Sequence, residues 1–269
     1  MYQVENARPT RDYIECFVSA GNHLQGVLRQ CGIAYSWLKA EPPLGPCLEH
    51  LSFILGNQAF FVRLRDVDER HAFPGTDRGL ARIAEGYGGH ACVMPMRRVA
   101  TGLTNGRPQA NEHGFGVHVT NIKREWRPTA PGWGLVDLHT GEAVHPPELP
   151  TNERIPMTDW EVYDFAVQVV REQLQKEGKK ILSWNSDPEA HPALWFEDGG
   201  RQCWAMVQAF RFPEQPPSRP NPELERHVRE RMPPGFPGHF AAVGFMGENG
   251  PPCRGEGSMI NYRGLVALE

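Results

Sequence analysis

Two short segments gather the side chains best suited to chemistry. Asp187-x-Glu189-x-His191 sets two carboxylates and an imidazole at alternate positions, and Glu197-Asp198 follows a few residues later. Carboxylates and imidazole are the donors that hold divalent cations. The triplet, however, lies in Ser186-Asp187-Pro188-Glu189-Ala190-His191-Pro192, a proline-pinned loop where polar residues are expected without any metal, so no metal site is assigned. His90-x-Cys92 and His113-x4-His118 each supply two ligands, and neither is joined by a second pair at zinc-finger spacing. The six cysteines (Cys16, Cys31, Cys47, Cys92, Cys203 and Cys253) form no Cys-x-x-Cys and are too sparse for a disulfide framework. There is no phosphate loop, no Gly-x-Ser-x-Gly turn and no His-Glu-x-x-His helix. Cys203 and Ser258 carry no local signature of a nucleophile. No catalytic residue and no cofactor is therefore expected.

The elements that would position these residues are clearest in the second half. Thr158-Asp159-Trp160-Glu161 is a capping box, with Met157 and Val162 placed as a hydrophobic staple. Tyr163, Ala166, Val167, Val170 and Leu174 then make one apolar helical face, which Gly178 ends. Strands are predicted over 180–185, 193–197 and 201–212, the last two joined by the Asp198-Gly199-Gly200 turn. Asn221 followed by Pro222 starts a second helix with Leu224, Val228 and Met232 facing inward, and Pro233-Pro234 stop it. Two further strands are predicted over 240–246 and 259–268. The order is α-β-β-β-α-β-β.

The first half reads less regularly. Ile14, Cys16 and Val18 alternate as in a strand, and a helix is predicted from Asn22 through Leu24, Val27, Leu28, Cys31, Tyr35 and Leu38. A strand over 59–67, a short helix capped by Thr76 and ending at Gly86–Gly89, and a strand over 91–99 follow. Pro95 predicts an edge position for that last strand. Phe115, Val117 and Val119 suggest another strand, and 134–138 one more before the Thr140-Gly141 turn. His145-Pro146-Pro147-Glu148-Leu149-Pro150 reads as a linker. The expected fold is thus α+β with an irregular mixed subdomain over 1–150 and a second over 151–269. The second is built on a mostly antiparallel sheet.

The chain has 269 residues with 28 Gly and 25 Pro spread without a period, which excludes collagen and favours short elements with many loops. No apolar run approaches the ~18 residues of a membrane span. A net charge of −4 argues against a dedicated nucleic-acid binder. Residues 1–150 hold 15 basic and 15 acidic side chains, whereas 151–269 hold 13 and 17. The excess negative charge falls in the second half, where it suits a basic partner surface. The first residues lack a basic start and an apolar core, so a cytoplasmic location without membrane association is expected.

The α-β-β-β-α-β order is similar to the restriction-endonuclease-like core, which makes a metal-dependent nuclease the enzymatic alternative, with Glu197 and Asp198 as its acids. Its third strand would need a Glu-x-Lys pair to hold metal and activate water. Cys203-Trp204-Ala205-Met206-Val207-Gln208-Ala209-Phe210 has neither group. A scaffold protein is the third class.

Three segments carry a resemblance: Leu194-Trp195-Phe196-Glu197-Asp198-Gly199-Gly200, Gly238-His239-Phe240-Ala241-Ala242-Val243-Gly244-Phe245 and Asn261-Tyr262-Arg263-Gly264. Over residues 157–269 the chain resembles immunity proteins of bacterial polymorphic-toxin and type VI secretion loci, in particular those paired with toxins of restriction-endonuclease-like nuclease fold. The resemblance implies a non-catalytic inhibitor that binds a cognate nuclease toxin and no nucleic acid itself. Asp187, Glu189, Trp195, Glu197 and Asp198 are the expected partner-binding residues: an aromatic anchor with carboxylates near it. Asp187 with Glu189 and Glu197 with Asp198 are expected at opposite ends of the sheet.

Overall fold

The computed structural model describes residues 10–38, 51–105, 109–110, 116–117 and 120–268. The chain is α+β, with one main sheet in each half. It forms two compact units: residues 1–33, 44–51 and 60–149, and residues 34–43, 52–59 and 150–269. The principal division falls at Leu149/Pro150, beside a 3-10 turn at Pro146–Glu148.

In the first unit, α1 (Arg11–Gln30) occupies the segment predicted as a strand followed by a later helix. Thr10 caps it by accepting from the Tyr13 N–H. Tyr13, Cys16, Ala20, Leu24 and Leu28 are buried at three- and four-residue spacing, while Ile14 and Val18 are 48% and 54% exposed. The alternation of Ile14, Cys16 and Val18 was accidental, because only Cys16 belongs to the buried stripe. The helix ends before Gly32, and β1 (Tyr35–Leu38) replaces its expected continuation.

The strands β2 (Leu51–Leu55) and β3 (Gln58–Asp66) follow, then α2 (Asp77–Tyr87) with Thr76 and left-handed Gly88 as its caps. After them come β4 (His90–Asn105), the short pair β5 (Gln109–Ala110) and β6 (Gly116–Val117), β7 (Thr120–Pro128) and β8 (Val136–Asp137). The sheet order is β1-β2-β3-β4-β7, with β8 also on β4.

Pro95 is therefore inside the sheet rather than on its edge. It pairs with Arg65 of β3 on one side and accepts from the Thr129 N–H on the other. A residue's N–H and C=O point to the same side of a strand, so the missing donor faces the β7/β8 side. There β8 pairs Cys92 and Val93, and β7 ends opposite Met96, so the missing donor falls in the gap between the two partner strands. Of the strand suggested by Phe115, Val117 and Val119, only the backbone of Val117 is described, in β6; Phe115 and Val119 lie outside the described residues.

The second sheet is formed as expected, with one change of direction. Its helices and strands are α3 (Asp159–Lys176), β9 (Lys180–Trp184), β10 (Leu194–Asp198), β11 (Arg201–Arg211), α4 (Pro222–Arg231), β12 (Gly238–Gly247), β13 (Ser258–Tyr262) and β14 (Val266–Leu268). The order is β13-β12-β11-β10-β9, with β14 also on β12. Antiparallel pairing prevails, but β11 and β12 run parallel because α4 carries the chain back across the sheet between them. The strand predicted over 259–268 divides into β13 and β14 around Gly264, whose φ is 94°.

Each sheet face is buried under one helix. Phe196, Ala205, Val207, Ala241, Val243 and Phe245 pack under the apolar stripe of α3. On the opposite face Trp204, Met206 and Phe240 pack under Val228 of α4, with Trp195, Leu224 and Phe236 around them. Gly238 is obligatory here, since a Cβ on it would lie 2.3 Å from the Trp204 ring. Among the described residues no helix is long and apolar enough to cross a membrane.

Candidate functional site

Asp187 and Glu189 lie in the loop from β9 to β10, where they organise backbone rather than gather around a centre. Asp187 Oδ1 accepts from the Glu189 N–H at 2.9 Å, and the Asp187 N–H donates to Asn185 Oδ1 at 3.0 Å. These are the self-bonded turns that Asn and Asp favour in loops. His191 in the same loop is half-buried. Burial lowers its pKa, and His227 lowers it further, against the opposing pull of Asp187. Among the described residues no three His, Cys, Asp or Glu side chains stand close enough to hold a metal ion. His90 stacks on Phe60 at 4.9 Å, and Cys92 beside it is fully buried. His113 and His118 lie outside the described residues, as does Cys47.

Trp195 is half-buried in the α4-side cluster, edge-on to Phe236 at 5.8 Å. It packs within the domain and leaves only part of its surface exposed. Glu197 is half-buried and Asp198 exposed, with Asp198 3.4 Å from Lys179 Nζ. A surface pair of this kind is worth only ~0–1 kcal/mol. The register of β9 and β10 pairs Leu194 with Trp184 and Glu197 with Lys180. Asp187 and Glu189 therefore follow one end of β9 while Glu197 and Asp198 lie at the other, and the two acidic pairs form separate patches.

The apolar side chains that the second sheet does present stand on its margins. β9 is an outer strand, with Leu182 39% and Trp184 41% exposed. The Arg171 guanidinium lies over the Trp184 ring at 4.7 Å and holds the indole in place. On the other margin Met259, Ile260 and Val266 are exposed. Trp184 was visible in the sequence as one of several aromatics on adjacent strands, but nothing local distinguished it from its buried neighbours.

A second feature was hidden from sequence reasoning altogether. Glu161, read as a capping residue, closes the capping box on Thr158 and also meets Arg254 in a fully buried ion pair. Arg254 Nε donates to Glu161 Oε1 at 2.6 Å and a terminal nitrogen donates to Oε2 at 3.1 Å. The pair forms one wall of a cavity of about 320 Å³, all of whose lining residues belong to the second unit. Tyr35, Trp37 and Leu38 of β1, Phe165, Asp164 and Gln168 of α3, and the 253–258 loop complete it. Gln168 Nε2 donates to Asp164 Oδ2 at 2.7 Å and to the Trp37 carbonyl at 3.2 Å, tying helix to strand. Gly255, with φ 74°, lets the loop close on Gly56, whose backbone a Cβ would meet at 2.6 Å.

The thiols are poorly placed as nucleophiles. Burial pushes Cys16 and Cys92 up to about 12, with Asp66 and Asp137 adding to it, and raises Cys203 as well.

Residues 160–268 match the model of a Domain of unknown function (DUF8840), a span running from the first turn of α3 to the end of β14. No curated protein and no solved structure matches the chain.

Proposed function

We propose that this chain is a non-catalytic immunity protein, held in the producer's cytoplasm, that binds and neutralises a cognate nuclease toxin through the β9 margin of its second sheet. The observation that carries the reading is the exposure of Leu182 and Trp184 on an outer strand. Outer strands are usually blunted by charge or covered, because their free backbone groups invite a partner. Here the outer strand carries an indole pre-oriented by Arg171, the kind of rigid aromatic on which interface energy concentrates. Asp187 and Glu189 flank one end of the strand and Glu197 and Asp198 the other, so a toxin with a basic nucleic-acid surface would meet carboxylates on both sides.

The register of the sheet speaks against the nuclease alternative. Glu197 pairs with Gln202, and the next β11 residues on that face are Trp204 and Met206. An indole and a thioether neither neutralise a cation nor deprotonate water.

The test is growth rescue of cells expressing a toxin encoded beside this gene, followed by a binding titration with the two purified proteins. Rescue and a saturable complex are expected, and Trp184→Ala should weaken the complex about 10–30-fold, mainly through faster dissociation. A neighbouring metabolic operon, or no rescue by a folded chain, would sink the proposal. Metal-dependent DNA cleavage lost on Glu197→Ala or Asp198→Ala would establish the nuclease instead, and constitutive self-association would favour a scaffold.

A further inference from the structure

We propose that the loop from β9 to β10, residues 185–193, is a proton-operated latch, closed while His191 is neutral and opened when that imidazole takes up a proton. The placement of the ring carries the inference. Its Nδ1 is sealed from solvent and has no hydrogen-bond partner. A neutral ring tolerates this, with its proton on Nε2 and a bare lone pair at Nδ1. An imidazolium donates from both nitrogens. In the closed loop one donor of a charged group would therefore be buried and unmatched, which folded structures strongly disfavour. The charges that act on the ring come from two elements: Asp187 of the same loop favours the proton, and His227 of α4 opposes it. Burial together with His227 outweighs Asp187, and the His191 pKa lies below the ordinary histidine value. Asp187 is already engaged, accepting from the Glu189 N–H at Oδ1 and acting on Tyr163 of α3.

The loop is closed by bonds of its own. The Asn185 N–H donates to the Ala193 carbonyl at 2.7 Å and the Ala190 N–H to the Asp187 carbonyl at 3.0 Å, while at the foot of the loop the Ala193 N–H donates to the Ala205 carbonyl at 3.0 Å. On its buried side Ser186 Oγ has no partner, and neither does Tyr163 Oη, although the two residues are 1% and 6% exposed. Opening brings both hydroxyls to water along with the imidazole, which favours the open form further. Because the closed form binds the proton less well than the open one, acid shifts the population towards opening. Asp187 and Glu189 ride on this loop and Trp184 directly precedes it. Under the function proposed above, acid would therefore also loosen the toxin contact; that consequence rests on that reading, whereas the latch does not.

The experiment follows amide hydrogen exchange of the full chain, without toxin, and corrects each rate for the intrinsic effect of pH. Between about pH 7.5 and about pH 5.5 the protection of the Asn185, Ala190 and Ala193 amides should fall at least about fivefold, while the hydrogen-bonded amides shared by β10 and β11 keep theirs. His191→Gln, which keeps a polar side chain but cannot take the proton, should abolish the change. An unchanged loop in the unmodified chain, an equal loss of protection in β10 and β11, or the same loss in His191→Gln overturns the inference. Should that variant fail to fold, the imidazole of the unmodified chain is titrated by NMR. The midpoint of loop exchange must then coincide with that of His191, and two separate midpoints overturn the inference equally. Since no toxin is present, the result is the same whether or not the chain neutralises one.

Discussion

Removing Arg254 tests how the second unit is held together. Its side chain is 1% exposed and that of Glu161 0% exposed, so Arg254→Met strands a carboxylate out of reach of water. Of the bonds made to that carboxylate by Arg254 and Thr158, only the Thr158 N–H at 2.7 Å survives. Breaking a buried pair by removing one partner costs about 3–5 kcal/mol. Glu161→Gln should cost a similar amount for the opposite reason: the amide oxygen can still accept from Thr158 and preserve the cap, but the guanidinium loses its counter-ion. Combining the two removes both charges and keeps the cap, so the double variant is expected within about 1–2 kcal/mol of the unmodified chain. The cycle should therefore show a coupling of at least about 3 kcal/mol.

Urea unfolding followed by tryptophan fluorescence is the assay. Trp37, Trp160, Trp184, Trp195 and Trp204 all belong to the second unit, so the signal reports chiefly on it. The midpoint should move with little change in slope. A double variant as unstable as the sum of the single ones would refute the reasoning. So would Arg254→Met costing less than about 1 kcal/mol, since a wet pair carries no stranded charge.

Stability should fall as the solution is acidified from about pH 6.5, because burial depresses the pKa of His90, His191 and His239 in the fold. A depressed folded pKa means that the unfolded chain takes up more protons, so the contribution is complete above the unfolded value and is lost as pH drops towards the folded one. His191→Gln should flatten the melting temperature against pH between 8 and 5, and an unchanged slope would contradict this. Gly238→Ala places a methyl against the packed Trp204 ring and should cost about 1–3 kcal/mol by urea unfolding; a neutral result would mean that the indole is free to shift. Asp187 with Glu189, and Glu197 with Asp198, each changed to Lys in pairs, should slow toxin association in low salt with little effect on dissociation. If neither pair changes the salt dependence of the association rate, charge does not steer the encounter.

What could be read from the sequence rests on contacts spanning only a few residues. Thr158 and Glu161 cap α3, Asp198-Gly199-Gly200 turns β10 into β11 with both glycines at positive φ, and Asn221-Pro222 begins α4. Each is a local bargain between backbone donors and a neighbouring side chain, so composition and spacing determine it. The α+β class and the element order of the second half follow from these signals. Short-range patterns also misled. Ile14, Cys16 and Val18 alternate like a strand, while the stripe Tyr13, Cys16, Ala20 that governs α1 uses one of the same residues. β7 went unforeseen because Lys123, Arg124, Glu125 and Arg127 make it look like a loop; among its described side chains Trp126 is the buried one.

Long-range partnership belonged to the tertiary structure. The parallel register of β11 and β12, the place of Pro95 within a sheet, and the choice of Trp184 rather than Trp195 for exposure depend on which strands become neighbours. The Glu161–Arg254 pair joins residues 93 positions apart, and the cavity beside it draws on β1, α3 and the loop before β13. Glu161 satisfies the cap rule equally well with or without Arg254, so no local pattern distinguishes the two cases. Burial creates the difference, because only in a water-free interior must a carboxylate find a cation, and only the folded chain determines which one is there.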